Sequence, residues 1–162
     1  MSVEPTRILQ IVDSMDMGGI QTFIMEVYRH IDRNLIHFDF LTMREHKQVF
    51  ENEIESLGGR VYKIPGRREG LLQNYLSLRS FFKSHNEYRV IHYHSSALHD
   101  IAPLISAKQA NIPVRIIHSH STKIGGNPIN RVLHTVNKMF IEDIATHYLA
   151  CGTLAADWMY SG

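Results

Sequence analysis

The chain carries a single cysteine, Cys151, among 162 residues. That excludes an internal disulfide framework and fits a reducing compartment. No apolar run approaches the roughly 18 to 20 residues that span a bilayer. The opening residues also lack the pattern of a secretory leader, so a cytoplasmic location is expected. An excess of one charge is missing too: 17 basic residues against 16 acidic ones leave a formal net charge of +1. No global field therefore points to nucleic acid as a partner. Neither G-x-G-x-x-G nor G-x-x-x-x-G-K-[ST] occurs, which removes the two best-known phosphate loops. What is plentiful is histidine, with 11 residues, and a 44% hydrophobic content that suffices for one ordinary globular core.

Short Val/Ile/Leu-rich runs alternate with longer amphipathic ones. Arg7 to Val12 reads as a buried strand, Asp13 to Met17 as a turn and Gly18-Gly19 as a hinge into a helix from Ile20. Ile20, Phe23, Ile24, Val27, Tyr28 and Ile31 recur at helical spacing and predict a face packed on a sheet. Further strands are expected at His37–Met43, Arg60–Ile64, Val90–His94, Val114–His120 and Tyr148–Cys151. Between them, Phe50, Ile54 and Leu57 mark a short helix stopped by Gly58-Gly59, and Leu72, Tyr75, Leu76, Phe81 and Phe82 give the next helix its inward face. Asp100 is the expected N-cap of a helix carrying Ile101, Leu104 and Ile105. Asn127 and Pro128 cap and open a long helix with Val132, Leu133, Val136, Phe140 and Ile144 inward, and Thr153 caps a last helix through Trp158. Met15, Met17 and Met25 read as packing, and Cys151 as core. Six strand–helix repeats of this kind specify an α/β, Rossmann-like, three-layer doubly wound parallel sheet, with residues 1–162 as one domain.

Such sheets bind ligands at the C-terminal ends of their strands. There the fourth and fifth strands each end in His-x-His: His92 and His94, His118 and His120. Residues two apart on a strand share a face, and these strands are neighbours in the common doubly wound order, so four imidazoles are expected to converge. His92 and His118 fall in the apolar part of each strand and read as buried and neutral. His94 and His120 fall at the lip and read as ligand contacts. A metal-dependent hydrolase is the alternative use of the two His-x-His strand ends; it needs a carboxylate as well, for which Asp13 and Asp100 are the candidates. Gly18-Gly19, between a strand and a helix start, suits contact with a phosphate or sugar. Asp13 could mark a phosphoacceptor domain, but Ile64-Pro65-Gly66 supplies no second aspartate after the third strand. Arg67 and Arg68, with Arg60 and Lys63 nearby, form a basic patch that suits solvent, an anionic lipid surface or a pyrophosphate.

Five stretches in order complete the picture: Arg7–Val12 with Met17-Gly18-Gly19-Ile20-Gln21, Leu57–Tyr62, Val90–Ser95, Pro113–His120 and Ala150-Cys151-Gly152. Together they resemble the N-terminal domain of family 4 glycosyltransferases of the GT-B fold, similar to bacterial capsular and exopolysaccharide glycosyltransferases. The resemblance implies a two-domain enzyme that moves a sugar, with retention, from a nucleotide-diphosphate sugar to a glycan or lipid-linked acceptor, with no other cofactor and no metal ligand assigned. It implies that residues 1–162 form the acceptor-side domain, and that the nucleotide-sugar domain, with a Glu-x7-Glu motif, lies beyond Gly162. The 162 residues alone are then expected to be nearly inactive. By the same resemblance Gly18 and Gly19 touch the donor phosphates or sugar, and His120 is the family's catalytic histidine, with His118 as the register alternative. His94 and Ser95 would line the acceptor side. Arg67 and Arg68 would face the acceptor and the inner face of an anionic membrane, where peripheral contact is expected.

Overall fold

In the computed structural model, which describes residues 4–122 and 128–160, the apolar runs become β1 (Thr6–Val12), β2 (Ile36–Thr42), β3 (Val61–Lys63), β4 (Val90–Ser95), β5 (Val114–Ser119) and β6 (His147–Ala150). They form one all-parallel sheet in the order β3-β2-β1-β4-β5-β6. The helices are α1 (Gly19–His30), α2 (Glu51–Ser56), α3 (Leu71–Ser84), α4 (Ala102–Gln109), α5 (Pro128–Lys138), α6 (Ile141–Ile144) and α7 (Thr153–Tyr160). This is the expected doubly wound α/β architecture. Strand order reverses between β1 and β4, which makes that junction the switch point where such sheets receive ligands.

Side-chain alternation along the strands sorts two cores. Leu9, Ile11, Ile91, Tyr93 and Ile117 face the larger one, with Leu78, Phe81 and Phe82 of α3, Leu104 of α4, Ile141 and Met159. Val12, Phe38 and Phe40 face the smaller one, beneath Ile24, Met25 and Tyr28 of α1 and Ile54 of α2. Gln10, His92 and His94 alternate with residues of the larger core and so belong to the α1 face. Asp39 is fully buried and ties the sheet's N-terminal side together, taking Arg7 Nε at 2.6 Å, Arg7 Nη2 at 2.8 Å, the Tyr88 hydroxyl at 2.7 Å and the Arg60 N–H at 2.8 Å. Burial alone would raise its pKa, but those four donors hold it below the usual carboxylate range. Gly58 stops α2 with a positive φ of 87°, a conformation that favours glycine.

Several faces differ from the periodicity. Val132, Val136 and Phe140 are exposed, because α5 ends at Lys138 and turns His134 inward instead. His134 stacks on Trp158 at 4.5 Å and accepts the Leu98 N–H at 3.0 Å. On α3, Leu72 and Leu76 are exposed and Asn74 is buried, donating to the Pro65 carbonyl at 2.7 Å. Met17 is exposed rather than packed, while Met15 and Met25 are buried. β6 is an edge strand that ends at Ala150, so Cys151 lies past it and is exposed rather than in the core. Asp100 sits one residue earlier than an N-cap; its Oδ1 takes the Ala102 N–H at 3.0 Å, and α4 begins at Ala102. Thr153 is the first residue of α7, with Gly152 accepting the Ala156 N–H. The expected cap at Asn127 lies outside the described residues. Among the described residues no helix is long and apolar enough to cross a membrane.

Candidate functional site

The switch-point rim is built by β1, β4 and β5. Across the β4–β5 ladder His94 stands opposite His118 and Ser95 opposite Ser119. His94 is thus level with His118, and only 5% of it is exposed. His120 extends one step further, its N–H on the Ser95 carbonyl at 3.2 Å, and takes the lip alone. The four rings form a two-by-two stack, with centroids 4.1 Å apart within each strand and 5.3 Å (His92–His118) and 5.1 Å (His94–His120) between strands. His92 Nε2 and His118 Nδ1 are 3.2 Å apart, and His94 Nδ1 and His120 Nε2 are 2.8 Å apart. His94 Nε2 lies 2.8 Å from the carboxamide oxygen of Gln10.

Burial disfavours the charged form of all four imidazoles, and the nearby histidines add to this at His92, His94 and His120. His92 is pushed down to about 3 and His120 to about 4. At neutral pH the cluster is therefore uncharged, each ring offering one donor and one acceptor. This has a measurable consequence for stability. Unfolded imidazoles titrate near 6.5, so between that pH and about 4 the unfolded chain binds more protons than the folded one, and stability rises with pH. The stabilisation is complete above about pH 7 and is lost as pH falls through the window. Its slope is up to about 1.4 kcal/mol per pH unit for each neutral ring, and less for the partly exposed His120. Urea midpoints at pH 7.5, 6 and 5 check this; a midpoint that rises on acidification contradicts it.

Two neighbours of the cluster come from β1 and α1. Gln10, 1% exposed, is the lone polar residue in the apolar run Ile8 to Val12. That interruption is the sequence signal by which it could have been found. Phe23, expected in the inward stripe of α1, is 46% exposed and sets its ring on His118 and His120 at 5.7 and 6.0 Å. One turn of helix before Phe23, α1 starts at Gly18-Gly19. No side chain caps this end and its first turn holds no acidic residue, so its N–H groups and positive dipole end stay available. Gln21 Nε2 donates to the Ser14 carbonyl at 2.8 Å and fixes the preceding loop. A Cβ on Gly18 would clash with the carboxamide oxygen of Gln21, and one on Gly19 would have no atom within 4 Å. Gly19 thus faces open space.

The other expected contacts are placed differently. Ser95 is buried and turns its hydroxyl onto the Ala97 carbonyl at 2.7 Å. Arg67 donates to the His99 carbonyl at 2.6 Å and lies 3.7 Å from the Asp100 carboxylate. It lines a cavity of about 250 Å³ between α3, α4 and α5 that none of the four histidines reaches. Arg68 is exposed. One nitrogen each of His92, His94 and His118 lies within 4.8 Å of the others, so these three could hold a metal ion. No carboxylate belongs to that group: Asp13 pairs with Arg44 at 2.8 Å, and Asp100 faces Arg67.

The family model described as Glycosyltransferase Family 4 matches residues 17–159. A protein of Bacillus subtilis (strain 168) named "Putative glycosyltransferase EpsF" is 31% identical over 163 aligned residues, covering 99% of this chain and 42% of that protein. The chain therefore spans less than half the length of this relative. A crystal structure of NADH-dependent reductase A1-R', responsible for alginate metabolism, overlays on 91% of this chain and 76% of its own at 12% identity and a TM-score of 0.48. That likeness is too slight to inform the chemistry.

Proposed function

This chain belongs to the family 4 glycosyltransferases, and on that premise we propose that it is the acceptor-side domain of a longer enzyme of capsular or exopolysaccharide assembly. The enzyme moves a sugar, with retention, from a nucleotide-diphosphate sugar to a glycan or lipid-linked acceptor, with no cofactor beyond the donor. A second domain, outside this chain, holds the nucleotide across the cleft. The observation that carries this reading is that α1, whose start is uncapped, packs its Phe23 on His118 and His120 of the neutral histidine cluster at the switch point.

The chemistry follows from what each part offers. As the sugar–phosphate bond breaks, negative charge grows on the departing nucleoside diphosphate. Free N–H groups and a helix dipole at Gly18-Gly19 stabilise that charge without having to reorganise. His120, neutral and at the lip, exchanges a hydrogen bond or proton with a sugar hydroxyl; His118 is the alternative for this role. His94 backs His120 from the acceptor side.

Gly19→Asp tests the anion site. The Cβ of an aspartate at Gly19 meets no atom within 4 Å, and a carboxylate in the first turn of α1 favours the helix by about 0.3–1 kcal/mol, yet it opposes a diphosphate. In the full-length enzyme the variant is expected to keep its melting temperature and to raise the donor KM at least ~10-fold. An unchanged donor KM contradicts the assignment.

Membrane contact is the second part of the proposal. Leu71, Leu72 and Leu76 of α3, and Ile129, Val132, Val136, Met139 and Phe140 in and just after α5, are large exposed apolar residues. Neither α3 nor α5 contains an acidic residue, and the exposed Arg68 stands just before α3. This suits the cytoplasmic face of an anionic membrane, where a lipid-linked acceptor resides. Sedimentation with phosphatidylglycerol vesicles is expected at low salt, and is expected to be lost in the Leu72→Asp/Val132→Asp variant. Equal binding by that variant contradicts the surface.

A further inference from the structure

We propose that Gln10 is a positioning residue: acting through His94, it fixes the tautomer of His120 so that the lip of the cleft presents an unprotonated Nδ1. The use of that atom in sugar transfer rests on the transferase reading above; the tautomers themselves do not.

Each link is dictated by the one before it. Gln10 is buried in β1 between the apolar positions Leu9 and Ile11, and its side-chain oxygen lies 2.8 Å from His94 Nε2. A carboxamide oxygen can only accept, so the proton of His94 is on Nε2. A neutral imidazole has one N–H, so His94 Nδ1 is a lone pair. That lone pair lies 2.8 Å from His120 Nε2, which must therefore be the donor. The remaining lone pair of His120 is on Nδ1, for which no hydrogen-bond partner occurs among the described residues. The His92–His118 contact is a separate pair and does not enter the chain.

The polarity of the chain depends on Gln10 alone. With the carboxamide turned round, its NH2 would donate to His94 Nε2, each proton would move one step outward, and His120 would show an N–H to the cleft. The orientation of one buried side chain, remote from the lip, thus decides whether the cleft meets an acceptor or a donor. An acceptor at Nδ1 suits a sugar hydroxyl, which donates, and disfavours an incoming group that only accepts.

Tautomers can be read from 15N-histidine NMR of this chain at pH 7.5, where long-range couplings separate Nε2–H from Nδ1–H rings. Wild type is expected to show His94 and His120 both as Nε2–H. Gln10→Met removes the acceptor at nearly constant volume and is expected to mix the tautomers of both rings. In the full-length enzyme it is expected to lower kcat about 10-fold with the donor KM within about twofold. Gln10→Glu keeps an accepting oxygen and is expected to restore the Nε2–H tautomers and most of kcat. If Gln10→Met does not fold, wild type and Gln10→Glu still decide. His120 as Nδ1–H in wild type overturns the proposal, as does an unchanged His120 tautomer in a folded Gln10→Met. Correct tautomers in a full-length protein that transfers no sugar would refute the transferase reading and leave the Gln10 chain standing. The opposite pair of results would do the reverse.

Discussion

Asp39→Leu is expected to destabilise the chain by about 3–5 kcal/mol, a large share of the 5–15 kcal/mol typical of a whole domain. The carboxylate is fully buried and takes four hydrogen bonds, two from Arg7, one from the Tyr88 hydroxyl and one from the Arg60 N–H. It therefore joins the start of β1, the middle of β2, the residue before β3 and the approach to β4. Removing it leaves a guanidinium, a hydroxyl and an amide without their partner, and the cost of those unpaired groups exceeds the net worth of the ion pair itself. The Arg7 side chain is 22% exposed, so part of its charge can return to water, which moves the effect toward the lower end of the range. Arg7→Met combined with Asp39→Leu is expected to recover part of the loss, because the double variant no longer strands a charge. Urea unfolding measures both. A loss below about 1 kcal/mol for Asp39→Leu would mean the cluster is not a structural tie.

His120→Ala is expected to lower sugar transfer by the full-length enzyme about 10²–10⁴-fold, the range associated with a positioned acid–base group. Its fold is expected to survive, because His120 lies past the end of β5 at the lip and only half-buried. His118→Ala separates the two register alternatives. That ring is 7% exposed, paired with His92 at 3.2 Å and covered by the edge of Phe23. Its removal is expected to lower the melting temperature and to affect transfer less than His120→Ala. A larger loss of transfer in a stably folded His118→Ala would move the catalytic role two residues inward along the strand.

How much of this was legible in the sequence depends on which forces set each feature. The six alternations of short apolar runs and amphipathic stretches reflect a parallel sheet, and they specify the architecture. The convergence of His92, His94, His118 and His120 followed from period-two spacing and strand order. Their depth did not, because the register of β4 against β5 is a tertiary property, and it sets His94 level with His118. Helix faces failed where apolar residues outnumbered one stripe. In α5, Val132, Leu133 and Val136 admit more than one inward face, and the choice is made by the stack of His134 on Trp158 and its bond to Leu98. In α3, Asn74 is inward because it answers the Pro65 carbonyl, a partner that periodicity cannot reveal. Cys151 reads as core because its run is apolar, but β6 is an edge strand and the ladder ends before it. Of the expected contacts, Gly18 and Gly19 open the helix whose Phe23 sets its ring on His118 and His120. Arg67 is drawn to His99 and Asp100 instead, through contacts made only once α3 and α4 have packed.

The most direct test of the account is an assay of the full-length protein with a panel of nucleotide-diphosphate sugars, with and without a lipid-linked acceptor fraction. Nucleoside diphosphate release and the anomeric configuration of the product would both be followed. Release that depends on the acceptor, and a glycosylated product that retains the donor's configuration, are expected. Acceptor-independent cleavage that needs an added divalent metal and is abolished in His92→Ala and His94→Ala would contradict the transferase reading, and would assign the histidine cluster to hydrolysis.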